Sequence, residues 1–143
     1  MKLVDANLLL YAINTDAPNH LQAKTWLENV LSGTEPIAFA WIVLLAFLRL
    51  STKAVVFPRP LKVDEALSVL ELWLSQPSAQ VVHPTDRHLK VLTDLIAPVG
   101  TGGNLTTDAH LAALAIEHGA ELCSCDNDFR RYPGLRWTNP LEQ

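Results

Sequence analysis

The chain has 143 residues, of which 49% are hydrophobic and 18% charged. This composition excludes a disordered protein and allows a sizeable hydrophobic core. The formal net charge of -4 at pH 7 argues against a general nucleic-acid coat protein, which is usually basic. A nuclease is still compatible with this charge, because metal-binding acids lower the total while a local basic rim holds the phosphate backbone.

Targeting and redox signals are sparse. No charged-then-apolar leader with a small-residue cleavage site is recognisable, so no signal peptide is expected. The longest apolar run, residues 37–48, is too short to span a bilayer. Cys123 and Cys125 would share one face of a strand at a spacing of about 6.6 Å, too far apart for a disulfide. These features predict a protein of the reducing cytoplasm.

Helix-like and strand-like patterns alternate along the chain. Short apolar runs predict strands at residues 3–4, 36–40, 80–82 and 122–125, with a possible fifth at 135–137. Helical spacing of apolar residues predicts helices at 6–13, 20–31, 41–50, 63–74, 86–96 and 105–118. We therefore expect a single α/β domain over residues 1–143, with a short, mostly parallel sheet of four to five strands covered on both faces.

The helix at 41–50 is apolar on nearly every side, which is typical of a helix buried on most of its surface. It is expected in the core, or partly in a dimer interface.

Asp5 stands where the first buried strand breaks into a helix. The carboxyl ends of strands are where ligands bind in open α/β sheets, so Asp5 is a candidate for chemistry. Asp is also a favoured N-cap residue, and capping is the commoner role for such an acid.

Two other acidic segments of the sequence are expected to lie close to Asp5 in the fold. Asp108 lies in the first turn of an Ala-rich helix, whose positive end favours an anion. Asp126 and Asp128 follow a buried strand, at the same kind of position as Asp5. Taken singly, these acids also fit a helix start and an Asp/Asn turn. Their joint placement at one edge of a parallel sheet predicts a shared crevice.

Carboxylates gathered in one crevice repel each other unless a cation joins them. Oxygen ligands without soft ligands nearby favour Mg²⁺ or Mn²⁺ over Zn²⁺. Such a site suits hydrolysis of a phosphodiester by a metal-activated water. An aspartyl-phosphate phosphohydrolase is less well supported, because it would need an acid two residues after Asp5, where Asn7 stands.

Three motifs resemble the PIN-domain ribonucleases and, more narrowly, the VapC toxins of bacterial type II toxin–antitoxin pairs. They are VDANLLLYA at 4–12, TDAHLAALA at 107–115 and DNDF at 126–129, and the resemblance extends over essentially the whole chain. It implies a PIN-like three-layer α/β/α fold and an endoribonuclease dependent on Mg²⁺ or Mn²⁺. It also implies RNA as substrate, a homodimer, and a VapB-like antitoxin whose tail covers the active site. Asp5, Asp108 and Asp126 would be the catalytic acids and would bind the metal with Asp128.

The family pattern places an acid, usually Glu, in the helix after the second strand, and the aligned residue here is Ala46. By periodicity alone Ala46 is an ordinary helical alanine. Through the resemblance it becomes a missing metal ligand, whether as a natural low-activity variant or as a deliberate replacement. We therefore expect an impaired ribonuclease, and the alternative is a catalytically silent protein that binds RNA or an antitoxin.

Supporting roles are expected for residues beside these acids. Asn7 would hold a ligand or a water, or be a plain first-turn residue. Thr107 would bind a ligand or phosphate, or cap its helix. Asp128 would be an outer acid or a solvated turn residue.

Arginines and one histidine complete the candidate set. Arg130 and Arg131 would contact RNA phosphate or an antitoxin carboxylate, or be solvated. Arg49, one helical turn from Ala46, would face the same crevice or form a structural ion pair. His110 does not share a helix face with Asp108 and is expected at the surface.

Overall fold

The core of the molecule is a five-stranded sheet with the order β3-β2-β1-β4-β5, in which every neighbouring pair is parallel. The structure is a computed structural model that describes residues 1–142. The strands are β1 (Lys2–Val4), β2 (Ile37–Ala40), β3 (Ala79–Val82), β4 (Glu121–Cys123) and β5 (Trp137–Thr138). The prediction of a short parallel sheet of four to five strands is confirmed.

Six α-helices connect the strands, and a 3-10 turn at Asn127–Arg131 follows β4. The helices are α1 (Ala6–Ile13), α2 (His20–Leu31), α3 (Trp41–Ser51), α4 (Val63–Leu74), α5 (His88–Ile96) and α6 (Leu105–Glu117). All six predicted helices are confirmed to within two residues at their ends. The predicted strand at 122–125 ends earlier, at Cys123, because the next residues turn away from the sheet toward the 3-10 turn.

The strand order places a topological switch point between β1 and β4. The chain runs from β1 through β2 to β3 on one side, then crosses back to place β4 on the other side of β1. Val4 pairs with Cys123, and the backbone N–H of Asp5 donates to the carbonyl of Cys123 at 2.9 Å. Asp5 and Ser124 therefore leave the sheet side by side, at the switch point where ligands bind in open α/β sheets.

The helix α3 is buried in the core of the chain along its inner face only. Val43, Leu44 and Phe47 lie in the core, but Trp41 and Leu45 are 50% and 54% exposed. The outer face is uncovered within the single chain, so the expected dimer interface concerns this face and stays a prediction. Within residues 1–142, no helix is both long and apolar enough to cross a membrane.

A chain of polar contacts fastens α5 to α6. The side chain of Glu117 has no exposed surface, and its carboxylate accepts the backbone N–H and the hydroxyl of Thr85 at 2.9 and 2.5 Å. It also pairs with Nδ1 of His88, whose Nε2 lies 2.9 Å from Nδ1 of His110. The prediction that His110 lies at the surface is therefore wrong: α5 half-buries it, and this packing is not visible in the spacing along one helix.

Candidate active site

A cavity of about 210 Å³ opens where α1, α3 and α6 meet at the carboxyl edge of the sheet. Its lining contains two of the predicted acids and Ala46, the position at which the family pattern places a further acid. The lining residues are Asp5, Ala6, Ile42, Val43, Ala46, Arg49, Thr107, Asp108 and Leu111. The structure thus places Asp5, Asp108 and Ala46, from three separate elements, around one space.

Asp5 caps α1 and faces this cavity at the same time. Its Oδ1 accepts the backbone N–H of Ala6 at 2.7 Å, which confirms the capping prediction. Its Oδ2 accepts the hydroxyl of Ser124 at 2.7 Å and a longer contact of 3.5 Å from Nδ2 of Asn7. Three hydrogen bonds therefore fix the orientation of this carboxylate.

Ser124 is the centre of the polar contacts beneath the site. Its fully buried hydroxyl donates to Asp5 and accepts Nδ2 of Asn7 at 3.1 Å and the backbone N–H of Asp126 at 3.0 Å. Asn7 in turn accepts the backbone N–H of Cys125 at 3.3 Å. Asn7 thus contacts the Asp5 carboxylate, the Ser124 hydroxyl and the backbone after β4. Sequence reasoning missed Ser124, although a hydroxyl at the end of a buried strand was a usable signal.

Burial, helped by the charges of neighbouring acids, raises the pKa values of two of the three motif acids. Burial and, after it, the negative charges of Asp126 and Asp5 together raise the pKa of Asp108 to about 6. Burial also raises the pKa of Asp5, and the charge of Asp126 adds to it, against the hydrogen bonds from Ser124 and Ala6. Asp5, Asp108 and Asp126 are therefore close enough to influence one another electrostatically.

Asp126 and Asp128 differ in their surroundings. Asp126 lies outside the lining of the cavity, half-buried, and its Oδ1 accepts the backbone N–H of Asp128 at 2.9 Å to cap the 3-10 turn. Asp128 is exposed and pairs with Arg131 at 3.3 Å. Arg130 lies with its guanidinium carbon 5.1 Å from the centre of the Trp137 ring. The contacts of Asp128 fit a solvated turn residue better than an inner ligand.

Three further predicted residues surround the cavity mouth. Arg49 lines it from α3, and within residues 1–142 it forms no ion pair, so the structural ion pair expected for it is not seen there. Thr107 lines it from α6 and does not cap that helix, whose N-cap residue is Asn104. Ala46 contributes only a methyl group.

The chemistry of these donors fits a hard divalent cation, although they are not gathered as a finished ligand set. Asp5, Asp108 and Asp126 offer only oxygen, and a cation would offset the burial and the mutual repulsion that raise the pKa values of Asp5 and Asp108. In the described part of the chain, no three His, Cys, Asp or Glu side chains are placed so that they already enclose a metal ion.

Comparison with known proteins gives a consistent result. A family model described as PIN domain matches residues 2–135. Ribonuclease VapC37 of Mycobacterium tuberculosis is 51% identical over 98% of this chain and 97% of its own length. Ribonuclease VapC33 of the same species is 40% identical over the full length of both chains.

Solved structures share the fold. VapBC2 from Rickettsia felis, in a structure bound to a DNA fragment from the promoter, aligns with a TM-score of 0.71 at 22% identity, covering 96% of this chain and 97% of that one. VapBC-1 from nontypeable Haemophilus influenzae aligns with a TM-score of 0.69 at 16% identity, over 99% and 98% of the two chains. The predicted three-layer PIN-like α/β/α architecture is confirmed.

Proposed function

This chain belongs to the PIN-domain family, among its VapC ribonucleases, and we propose that it is the endoribonuclease toxin of a toxin–antitoxin pair. The observation that carries the proposal is the meeting of Asp5 and Asp108 in one cavity at the switch point of the sheet, with Asp126 close enough to raise the pKa of both. Full-length similarity to proteins named as ribonucleases supports the same reaction class.

The acids of the site serve to hold a cation, Mg²⁺ or Mn²⁺. Asp5 and Asp108, which line the cavity, would hold it, and Asp126 and Asp128 would be the further acids of the set. When bound, such an ion supplies a water of lowered pKa and neutralises charge on the phosphodiester. Asn7 orients Asp5 from beneath, which favours one carboxylate geometry over others.

The substrate in this proposal is RNA, held by cationic and hydroxyl groups around the cavity. Arg49 borders the cavity and contacts a phosphate beside the cleaved bond, and Thr107 donates its hydroxyl to the same backbone. Arg130 and Arg131 follow the acids of the 3-10 turn and bind RNA or an antitoxin carboxylate. This local basic rim allows a chain of net charge -4 to bind a polyanion.

Alanine at position 46 impairs this site, because the α3 wall of the cavity supplies no carboxylate. The test is Ala46→Glu, assayed on total RNA with Mg²⁺ and with Mn²⁺. We expect cleavage to increase by about 100-fold or more, since an added ligand strengthens both metal binding and charge stabilisation. The matched control is Ala54→Glu, which adds the same charge at an exposed loop position.

Adding Asp5→Asn to Ala46→Glu should abolish the gained cleavage. If Ala46→Glu cleaves no better than Ala54→Glu, the ribonuclease proposal fails for this site.

The second candidate function, a silent protein that binds RNA or an antitoxin, is favoured by the lack of a finished metal cluster in residues 1–142. Retained RNA or antitoxin binding without cleavage in any variant would support it.

Partners and compartment follow from the same family membership. We propose a VapB-like antitoxin as the partner, a homodimer as the assembly, and the cytoplasm as the compartment. Relatives solved as VapBC assemblies and the exposed apolar positions Trp41 and Leu45 on α3 support protein partners. Size measurement of the chain alone and with an antitoxin tests both associations.

A further inference from the structure

An arginine at the end of the 3-10 turn lies against a tryptophan of β5. The Arg130 guanidinium carbon is 5.1 Å from the centre of the Trp137 ring, within the range of a cation–π contact. Trp137 packs against the hydrophobic core, and its Nε1–H donates to the carbonyl of Ser124 at 3.2 Å. The indole is therefore held in place, and it in turn holds the guanidinium.

The two adjacent arginines of this turn differ in their contacts. Arg131 donates its Nε–H to the carbonyl of Asp128 at 3.0 Å and pairs with the Asp128 carboxylate at 3.3 Å. Arg130 is exposed and, within the described part of the chain, forms no ion pair. The side of the Arg130 guanidinium that faces away from the indole is thus available to a ligand.

We propose that Arg130 and Trp137 form a nucleobase subsite, at which one base of the RNA strand stacks on the guanidinium beside the acids of the active site. Arg130 makes the contact, and Trp137 supports it from below. The inference rests on the proposed function, which supplies RNA as the substrate, and it adds a contact to a base where the other contacts are to phosphates.

Ser124 links this subsite to the acids of the active site. Its carbonyl accepts the Nε1–H of Trp137, while its hydroxyl donates to Asp5 at 2.7 Å and accepts the backbone N–H of Asp126 at 3.0 Å. A base stacked on Arg130 would therefore fix the RNA strand relative to Asp5. Such fixed placement of the reacting bond is a large part of what a catalytic site supplies.

A flat, uncharged ligand suits this position better than an anion does. Bases of single-stranded RNA stack on aromatic rings and on the guanidinium planes of arginines. Asp126 and Asp128 belong to the same turn as Arg130, and their negative charges oppose a phosphate but not an uncharged base. A carboxylate from a protein partner would meet the same repulsion, so these charges favour a nucleobase.

The experiment compares two RNA probes that carry the same charge. One is a fluorescein-labelled hexanucleotide of mixed sequence, and the other is the same sugar-phosphate backbone without bases. Fluorescence anisotropy measures the affinity of the native chain and its variants for each probe, in Mg²⁺ and again in EDTA at equal ionic strength, because phosphate contacts depend on salt. We expect the native chain to bind the probe with bases more tightly.

Conservative variants separate stacking from charge. Arg130→Lys keeps the charge and removes the flat guanidinium, so it should bind the probe with bases about five- to tenfold more weakly, the lower range for stacking of one base. Its affinity for the probe without bases should be nearly unchanged. Trp137→Leu removes the support and should give the same pattern, while Trp137→Phe should keep part of the affinity. Arg131→Lys is the matched control and should bind both probes like the native chain.

The contrary outcomes distinguish this inference from the proposed function. An equal loss of affinity for both probes in Arg130→Lys would identify a phosphate contact and overturn the nucleobase subsite. Unchanged affinity for both probes would also overturn it and would leave Arg130 for a carboxylate of a protein partner. If Ala46→Glu cleaves total RNA equally well with and without Arg130→Lys at limiting RNA, this inference fails alone. If the native chain binds neither probe and Ala46→Glu cleaves no RNA, the proposed function fails with it.

Discussion

At the scale of single residues, Ser124 explains how a buried carboxylate is tolerated at the end of β1. Its hydroxyl donates to Asp5, 119 positions away in the chain, and accepts the backbone N–H of Asp126, so that it joins these two acids. The position of Asp5 is predictable, because a strand that breaks into a helix is visible locally. The role of Ser124 is not, because its partner is brought to it only by the pairing of β1 with β4.

Replacing Ser124 by Ala should raise the pKa of Asp5 further, since the Ser124 hydroxyl is the strongest of the groups that lower it. In an Ala46→Glu background, the midpoint of the pH dependence of Mn²⁺ binding should move to higher pH. Ser124→Thr keeps the hydroxyl and should leave that midpoint near its original value. An unchanged midpoint in Ser124→Ala would contradict the orienting role given to this hydroxyl.

At the scale of elements, the attachment of α5 to α6 depends on one buried carboxylate. Burial pushes the pKa of Glu117 up, but hydrogen bonds from Thr85 and His88 outweigh burial and lower the pKa below its ordinary value of 4.5. The folded state then binds fewer protons than the unfolded state. This stabilisation is present above pH 4.5 and is lost as the pH falls through the lowered folded pKa.

Glu117→Gln should reduce the free energy of unfolding by about 1–3 kcal/mol near neutral pH, because it leaves buried donors poorly paired. The loss should shrink in acid, where the native carboxylate is itself protonated. Urea unfolding near neutral pH and in acid measures this loss of unfolding free energy. Glu28→Gln is the control, since Glu28 is exposed and its pair with Lys24 at 3.9 Å is worth little. Equal stability of the two variants would contradict the role of this contact.

At the scale of the whole molecule, the alternation of helical and strand patterns along the sequence predicts the α/β class. Because the carboxyl ends of parallel strands lie at one edge of the sheet, the sequence also predicts that the acids at those ends lie near one another. The strand order cannot be predicted from the sequence, because no residue within β4 specifies that this strand pairs with β1 rather than with β3. The contact between His88 and His110 was missed for the same reason: it arises from packing between helices, which the spacing within α6 does not encode.

The outer face of α3 gives a prediction about assembly. Trp41 and Leu45 lie one helical turn apart and are about half exposed, on a helix whose other face is buried in the core. An apolar stripe of this kind is typical of a surface covered by another protein. If it forms the proposed homodimer, Trp41→Lys with Leu45→Lys should convert the dimer to a monomer in light scattering, while the circular dichroism of the fold is kept.

The matched control for this change is Leu21→Lys, which places a charge at an apolar position on α2 that is 72% exposed. It should leave the dimer intact, because a single apolar side chain at the surface is common in monomers and carries no interface. Dissociation by Leu21→Lys and not by the α3 variant would move the dimer interface to α2. The apolar stripe on α3 would then be free to bind the antitoxin. Loss of antitoxin binding in the α3 variant would show that it does.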